Sequence, residues 1–297
     1  RLLYHFLSTE GPKIAVGDVN GDGREDFFIG GAKDSAGKLF IQKAGGKFTS
    51  TNEDLFEKDK ASEDTDCLFF DADNDGDLDL YVASGGTEYS SSSSQLRDRF
   101  YFNLGGGKFE KSDQLLPAGQ YESSSCVKAS DYDNDGDLDL FVGLRLRPFL
   151  IGVSVNGYIL NNDGKGKFQP VTNQIAPELK EIGMITDAVW ADYDNDEDQD
   201  LIVVGEWMPI SIFENQNGQF KKLENAISQP SKGWWNCLQS GDFDKDGDLD
   251  FVIRNHGLNS RFRASESEPV IMHVNDFDQN RTAEQIISVY NDGKPYP

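Results

Sequence analysis

A short acidic pattern that returns at nearly regular spacing limits the possible folds of this chain more than any other feature. The segment DYDNDGDLDL begins at Asp131, and related segments begin at Asp18, Asp71, Asp192 and Asp242. The five starts lie 53, 60, 61 and 50 residues apart. Repeats of this length are typical of solenoids and propellers. We therefore treat the chain as a series of similar units.

The negative charge of the chain is concentrated in these five segments. The 297 residues carry a formal net charge of −24. The five nine-residue acidic windows hold 25 of the 52 acidic residues and 2 of the 28 basic ones, so the rest of the chain is nearly neutral. This distribution argues against a general acidic tail. The chain has no basic stripe, which disfavours a nucleic-acid partner.

A second pattern runs in step with the first. A Gly-rich turn ends in Phe48, Phe109, Phe168 and Phe220, between 28 and 38 residues after the first Asp of each window. Short β-rich segments lie before and after each window and on both sides of each turn. Four strands per unit indicate propeller blades. The predicted fold class is all-β, a β-propeller of four-stranded blades, about six or seven in number, with an incomplete last unit.

The predicted organisation is a single domain over residues 1–297. Its repeats are 11–52, 62–113, 122–173, 183–225 and 233–268, with a partial sixth at 269–297. LLYHFL at residues 2–7 or further chain after Pro297 would complete the last blade, and both alternatives stay open. One short helix is expected near residues 54–60. No apolar run is long enough to span a membrane, and a start at Arg1 without a leader suggests a mature or excised segment.

The acidic windows have the spacing of calcium loops. Ca²⁺ takes six to eight oxygen ligands from carboxylates, amides and backbone carbonyls. Counting from the first Asp, side chains at positions 1, 3, 5 and 9 and the carbonyl of position 7 can surround one ion, with Gly at position 6 in the sharp turn. Zinc would require His or Cys, and Mg²⁺ retains its waters. About five Ca²⁺ ions are predicted, one for each full repeat.

The predicted ligands share these loop positions. In loop order they are Asp18, Asn20, Asp22, Arg24 and Asp26; Asp71, Asp73, Asp75, Asp77 and Asp79; Asp131, Asp133, Asp135, Asp137 and Asp139; Asp192, Asp194, Asp196, Asp198 and Asp200; and Asp242, Asp244, Asp246, Asp248 and Asp250. The fourth of each set contributes its backbone carbonyl. Position 12 is apolar and strands flank every loop, so the loops are not EF-hands.

Two loops depart from the pattern. Glu197 occupies position 6 of the fourth loop, where the others have Gly. A non-glycine residue must there adopt a glycine-like backbone or distort the turn, so we expect this loop to bind most weakly. The sixth copy begins at Asp276 and ends at Glu284, with Asn280 and Arg281 inside it. The sequence leaves open whether this copy binds metal.

The repeated motifs resemble the FG-GAP/VCBS repeats of the integrin-α type. The segments GGTEY, GEWMPISIF, GLNSRF and VNDFDQN are similar to sequences of the ASPIC/UnbV and cartilage-acidic-protein group. The resemblance implies a calcium-binding β-propeller, secreted or on the cell surface, that serves in adhesion. It says little about the partner.

Candidate ligand-binding residues lie outside the repeated loops. The connections 85–98 and 144–157 are longer than their counterparts, and the second contains Arg145 and Arg147. Insertions on one face of a repeat protein often mark a binding face. The remaining candidates are Trp207, Trp234, Trp235 and His256. The alternatives are tolerated surface loops and tryptophans packed between blades.

Two classes of function remain. The first is a non-enzymatic extracellular module that binds an unidentified protein or glycan and uses calcium for stability, since extracellular modules bind Ca²⁺ in the range that millimolar surroundings fill. The second is a carbohydrate-active domain, lyase-like, acting on acidic polysaccharide through the cations around His256. No nucleophile elbow, phosphate loop or His–metal spacing is present, and no catalytic residue is assigned.

Overall fold

The computed structural model shows an all-β chain whose sheets follow one another in sequence order. It describes residues 12–117, 122–224, 226–227, 230–257, 262–279, 283–291 and 293–297. Residues 2–7, considered above for closing the last blade, lie outside these ranges. No helix in the described ranges combines the length and the apolar character that crossing a bilayer requires.

Each of the first four repeats contributes four antiparallel strands, in which neighbours in sequence pair with one another. This confirms the prediction of four strands per unit for these repeats. The strands are β1 Ile14–Gly17, β2 Asp26–Ile29, β3 Lys38–Lys43 and β4 Lys47–Thr51; β5 Glu63–Phe70, β6 Asp79–Gly85, β7 Arg99–Asn103 and β8 Phe109–Lys111; β9 Ser123–Ser130, β10 Asp139–Leu146, β11 Gly157–Asn161 and β12 Gln169–Pro170; β13 Met184–Ala191, β14 Asp200–Met208, β15 Ser211–Asn215 and β16 Phe220–Lys222.

The later part of the chain is less regular. The fifth repeat contributes two strands within the described residues, β17 Gly233–Gly241 and β18 Asp250–Asn255. The start of β17 also pairs with the end of β14. β19 Ile271–Asn275, β20 Glu284–Asn291 and β21 Lys294–Tyr296 form a three-stranded sheet. The described sheets do not close into a ring, so the number of blades stays a prediction.

The helical segments are short, and all but the 3₁₀ turn Ser94–Leu96, which lies within the second repeat, follow the last strand of a repeat. α1, Glu53–Phe56, continues into a 3₁₀ turn at Glu57–Asp59, as expected near residues 54–60. The ring of Phe56 contacts the rings of Phe28 and Tyr101, with centroids 5.1 and 5.3 Å apart, and so packs between the first two sheets. The sequence patterns did not indicate α2, Thr172–Ile175, or the 3₁₀ turns Ser94–Leu96 and Pro177–Leu179.

Each core cluster lies between two consecutive sheets. Leu80 faces the first sheet and Tyr81, the next residue of β6, faces the third, because side chains alternate along a strand. Phe109, Phe168 and Phe220, which end the Gly-rich turns, are buried in successive clusters. In contrast, Phe48 is 43% exposed on the first sheet. Packing between repeats, rather than one central core, therefore holds the described sheets together.

The cysteines are unpaired. Cys67 and Cys126 are buried in two of these clusters, and burial raises the pKa of each thiol to about 12. Both therefore behave as small apolar side chains. Cys237 is half-buried.

A second kind of contact joins the first strands of neighbouring repeats. Thr65, Ser125 and Thr186 are the extra residues of β-bulges in β5, β9 and β13. Each hydroxyl donates to a carbonyl oxygen of the next repeat's first strand: Thr65 to Ser124 at 2.8 Å, Ser125 to Ile185 at 2.8 Å and Thr186 to Trp235 at 2.9 Å. A bulge turns a side chain away from its own ladder, so these hydroxyls add hydrogen bonds between the first strands of neighbouring repeats.

Replacing Thr186 by Val should lower the free energy of unfolding by about 1 kcal/mol, because the shape is kept while the carbonyl of Trp235 loses its donor. Urea denaturation monitored by fluorescence measures the change. Thr49→Val, in exposed β4, is the matched control and should have almost no effect. Equal stabilities for the two variants would show that the bulge hydroxyl contributes nothing.

Candidate metal loops and a polar cavity

The five predicted loops connect the first and second strands of their repeats. In every one, the Asp at position 1 accepts a hydrogen bond from the backbone N–H of position 6, at 2.6 to 3.2 Å. The residue at position 5 accepts one from the N–H of position 7, at 2.9 to 3.1 Å. These turns curl each loop so that alternate side chains face its interior.

Carboxylate oxygens converge in five places within the described residues. In each, the ligand atoms lie within 4.8 Å of one another. The groups are Asp71, Asp73 and Asp79; Asp131, Asp133 and Asp139; Asp192, Asp194 and Asp200; Asp242, Asp244 and Asp246; and Asp276, Asp278 and Glu284. The second, third and fourth loops thus bring together positions 1, 3 and 9, while the fifth brings together positions 1, 3 and 5.

The position-9 aspartates of the second, third and fourth loops, Asp79, Asp139 and Asp200, are buried, whereas Asp250 of the fifth loop is half-buried. In the second loop, the Asp79 carboxylate accepts the N–H of Ala72 at 3.0 Å and that of Asn103, on β7, at 2.7 Å. Burial raises the pKa of Asp79 and of Asp139 to about 7, and that of Asp200 to about 6. Neighbouring loop carboxylates act in the same direction. These groups therefore resist ionisation unless a cation is close.

Some buried carboxylate oxygens have no protein partner. Within the described residues, Asp71 Oδ1, Asp73 Oδ1 and Asp139 Oδ2 accept no hydrogen bond. A buried polar atom without a partner is costly, and a buried charge more so. Oxygen-only donors with unfilled lone pairs suit a hard divalent cation such as Ca²⁺. The residues of the second and third loops fit such an ion.

The first loop differs from the others. The Arg24 guanidinium pairs with the Asp22 carboxylate, and the Asn20 amide donates to Asp26 Oδ2 at 3.2 Å. The protein's own donors thus occupy two predicted ligands, and this loop is absent from the convergent groups. The sixth loop, by contrast, brings Asp276, Asp278 and Glu284 together. Its Asn280 and Arg281 lie outside the described residues.

The fourth loop keeps the common turn despite its glutamate. Glu197 has φ +73°, in the left-handed region, and its N–H donates to Asp192 Oδ2 at 3.1 Å. Gly136, at the same position of the third loop, has φ +92° and a 3.0 Å bond to Asp131. The loop has therefore adopted the glycine-like backbone rather than a distorted turn. This conformation costs a side-chain-bearing residue roughly 1–2 kcal/mol.

One set of functional residues escaped the sequence patterns. Asn103 and Asn215 are the last residues of β7 and β15, and Asn162 directly follows β11. Each side-chain amide donates to the position-2 carbonyl of the preceding repeat's loop, at 2.7 or 2.8 Å. Each backbone N–H donates to its own loop's position-9 aspartate at 2.7 Å. These asparagines connect each acidic loop with the next repeat, and their only sequence signal is their place before the Gly-rich turn.

Four of the six candidate ligand-binding residues meet at the opposite end of the first strands. The ring of Trp234 stacks on His256, with centroids 4.3 Å apart, and lies 5.7 Å from that of Trp207. Arg145 and the indole N–H of Trp234 both donate to Glu206 Oε1, at 2.6 Å each. We call Arg145, Glu206, Trp207, Trp234 and His256 the aromatic cluster.

The other two candidates lie elsewhere. Arg147 pairs with Glu122 at 2.6 Å. Trp235 donates to the carbonyl of Ser231 at 2.9 Å and packs against the core, as expected for a tryptophan between repeats. β10 runs to Leu146, so residues 144–146 of the predicted longer connection are strand rather than loop. Trp207 lies within β14.

A polar cavity of about 400 Å³ lies beside the aromatic cluster. The starts of the first strands and the ends of the second strands form its wall, so it opens at the end opposite to the acidic loops. Hydroxyls and charged groups dominate the lining, including Glu63, Thr65, Ser125, Arg145, Thr186 and Arg254. Burial, together with nearby Glu88, raises the pKa of Glu63 to about 7. The cavity suits a polar occupant.

Glu197→Gly should raise the free energy of unfolding by about 1 kcal/mol, because glycine adopts a positive φ without the clash of a Cβ atom. Asn195→Gly, at φ +63° in the same loop, should give a smaller gain, since asparagine tolerates this region. Among the second to fifth loops, crystals soaked in limiting Ca²⁺ should show the lowest occupancy in the fourth. Occupancy equal to that of its neighbours would contradict this expectation.

Comparison with protein families places the repeats in a known class. The family sequence model described as FG-GAP-like repeat matches residues 18–82, 83–142, 149–203 and 192–253. Each match includes at least one acidic loop, and together they cover most of the chain. A search of curated proteins returned no match. The chain therefore belongs to the FG-GAP-like repeat family.

Proposed function

We propose that the protein is a calcium-stabilised β-propeller module that binds an extracellular protein or glycan and catalyses no reaction. The observation that carries the proposal is the convergence of buried carboxylates, some with unpartnered oxygens, in loops that repeat with the sheets. Five convergent groups support about five ions. Four of them lie in predicted loops, and the sixth loop takes the place of the first.

Calcium would act on the contacts between repeats as well as on the loops themselves. A divalent ion offsets the repulsion among the acids of one loop, which reaches about 4 kcal/mol for two unit charges 4 Å apart at an effective dielectric of 20. The second and third loops accept the amides of Asn162 and Asn215 from the next repeat. Ordering a loop therefore also orders its interface with the neighbouring sheet.

The extracellular location follows from the affinity expected of such loops. Extracellular calcium modules bind at about 10⁻⁴–10⁻³ M, which matches millimolar surroundings. A site of 10⁻⁴ M in millimolar Ca²⁺ stabilises the native state by about 1.4 kcal/mol. Several such sites together are large relative to the 5–15 kcal/mol by which domains are usually stable. A compartment poor in Ca²⁺ would forfeit this contribution.

The partner is proposed to bind at the aromatic cluster and the adjoining cavity. Tryptophan rings give a flat apolar surface and a polar edge, which suit both sugar rings and protein side chains. Arg145 and Glu206 are buried and bonded to one another, so they present a fixed polar group there. His256 is exposed and stacked on Trp234, an arrangement that serves contact without providing a nucleophile.

Within the family, we place the chain nearest to the ASPIC/UnbV and cartilage-acidic-protein group. The phrases GGTEY and GEWMPISIF support this placement. The second of these phrases contains Glu206 and Trp207, which belong to the aromatic cluster.

Chelation by EDTA should lower the melting temperature markedly, because binding to the native state alone stabilises it. Added Ca²⁺ should restore the melting temperature at concentrations at which Mg²⁺ does not. Asp139→Asn should reduce the calcium-dependent shift, whereas Asp54→Asn, an exposed acid outside the loops, should leave it intact. An unchanged melt in EDTA would contradict the calcium proposal.

Trp234→Ala should weaken capture of a partner found by glycan array or pull-down in Ca²⁺ by at least tenfold, in the range of a central interface tryptophan. Phe48→Ala, which removes an exposed aromatic ring of the first sheet, is the control and should bind normally.

The wild-type protein should release no product from a panel of acidic polysaccharides. Product formation that His256→Ala abolishes would instead support the lyase-like alternative.

A further inference from the structure

Neighbouring acidic loops are joined directly by side-chain hydrogen bonds. The amide Nδ2 of Asn74 donates to Asp137 Oδ1 at 2.6 Å, and that of Asn134 donates to Asp198 Oδ1 at 3.0 Å. Each bond runs from position 4 of one loop to position 7 of the loop in the next repeat. Neither asparagine belongs to the convergent carboxylate groups. The same contact thus occurs twice and joins the second, third and fourth loops.

The donors occupy a special backbone conformation. Asn74 and Asn134 have φ +60° and +59°. Asparagine is among the few residues that enter this left-handed region readily. A loop whose turn is fixed by its position-1 aspartate therefore also fixes where its position-4 amide lies.

The acceptors occupy the position whose carbonyl is expected to bind the ion. The N–H of Asp137 donates to Asp135 Oδ1, and that of Asp198 donates to Asp196 Oδ1, at 3.0 Å in both cases. The asparagine of the preceding loop holds the side chain of the same residue. Position 7 is thus tied to its own loop through the backbone and to the preceding loop through the side chain. Fixing it brings the next loop closer to its binding conformation.

We propose that Asn74 and Asn134 are positioning residues that make Ca²⁺ binding cooperative across the second, third and fourth loops, an inference that rests on the proposed calcium function. An ion in one loop orders its position 4, which then orders position 7 of the next loop. The next ion meets a lower ordering cost and binds more tightly. Linkage makes the effect reciprocal, so an ion in the third loop also favours the second.

Within the part of the chain that the structure describes, the contact between positions 4 and 7 is missing from the first loop to the second and from the fourth loop to the fifth. Position 4 of the first loop is Gly21, which has no side chain to donate. Asn195 of the fourth loop has the same backbone as its counterparts, with φ +63°, but its amide makes no hydrogen bond to Asp248 of the fifth loop within the described residues. Asn195 therefore shares the position, residue type and conformation of Asn74 and Asn134, and lacks only the contact.

The test replaces single asparagines by glycine and titrates the whole chain with Ca²⁺ by calorimetry. Glycine removes the amide without straining a positive φ, and it is the natural residue at this position of the first loop. Asn74→Gly and Asn134→Gly should keep the wild-type number of ions and lower the steepness of the isotherm. The affinity of the coupled sites should fall about fivefold, the lower end of typical couplings. Asn195→Gly should reproduce the wild-type isotherm.

Two results would overturn the proposal, and they are distinguishable. If the wild-type protein binds Ca²⁺ but all three glycine variants titrate like it, the asparagines do not couple the loops. If the wild-type titration is flat at millimolar Ca²⁺, the calcium function fails and the coupling fails with it. Melting in EDTA guards against misfolding. A single cooperative unfolding transition for each variant there, like that of the wild type, assigns any change in the isotherm to binding.

Discussion

The burial of a carboxylate where an acidic loop meets the third strand is the constraint on which the rest of the structure depends. Asp79 and Asp200 each accept two backbone N–H groups, Asp139 accepts one, and all three lie out of solvent. Protonation or a nearby cation can satisfy such a group. The surrounding aspartates favour the cation, because several carboxylates around one point can bind a divalent ion together, whereas one proton neutralises only one of them. Loop, strand and neighbouring repeat are joined at this one residue.

The two ends of the first strands have different roles in this account. The acidic loops follow the ends of these strands, and the polar cavity lies at their starts. Thr65, Ser125 and Thr186 belong to both the bonding between repeats and the cavity wall. The spacing of the repeats therefore sets the shape of the cavity. Calcium at the loop end would in this way stabilise a binding surface at the cavity end without being part of that surface.

Features encoded within one repeat could be predicted from the sequence, and features encoded between repeats could not. Alternating acids and the Gly-Phe turns indicated the loops and the four strands, because both patterns are local. Asn103, Asn162 and Asn215 donate to carbonyls more than 80 residues away in sequence, such as that of Val19 for Asn103. One feature within a repeat was also missed, since the first loop resembles its counterparts in spacing but pairs Arg24 with Asp22 and Asn20 with Asp26. The aromatic cluster likewise depends on β14 and β17 pairing across two repeats.

A crystal structure of the protein grown in millimolar Ca²⁺ tests the central claim most directly. The account predicts a strong density peak in the third loop, within about 2.3–2.6 Å of carboxylate oxygens of Asp131, Asp133 and Asp139, including Asp139 Oδ2. Anomalous scattering would identify the ion. An empty loop in which the Asp139 side chain is protonated and hydrogen-bonded to the protein would contradict it.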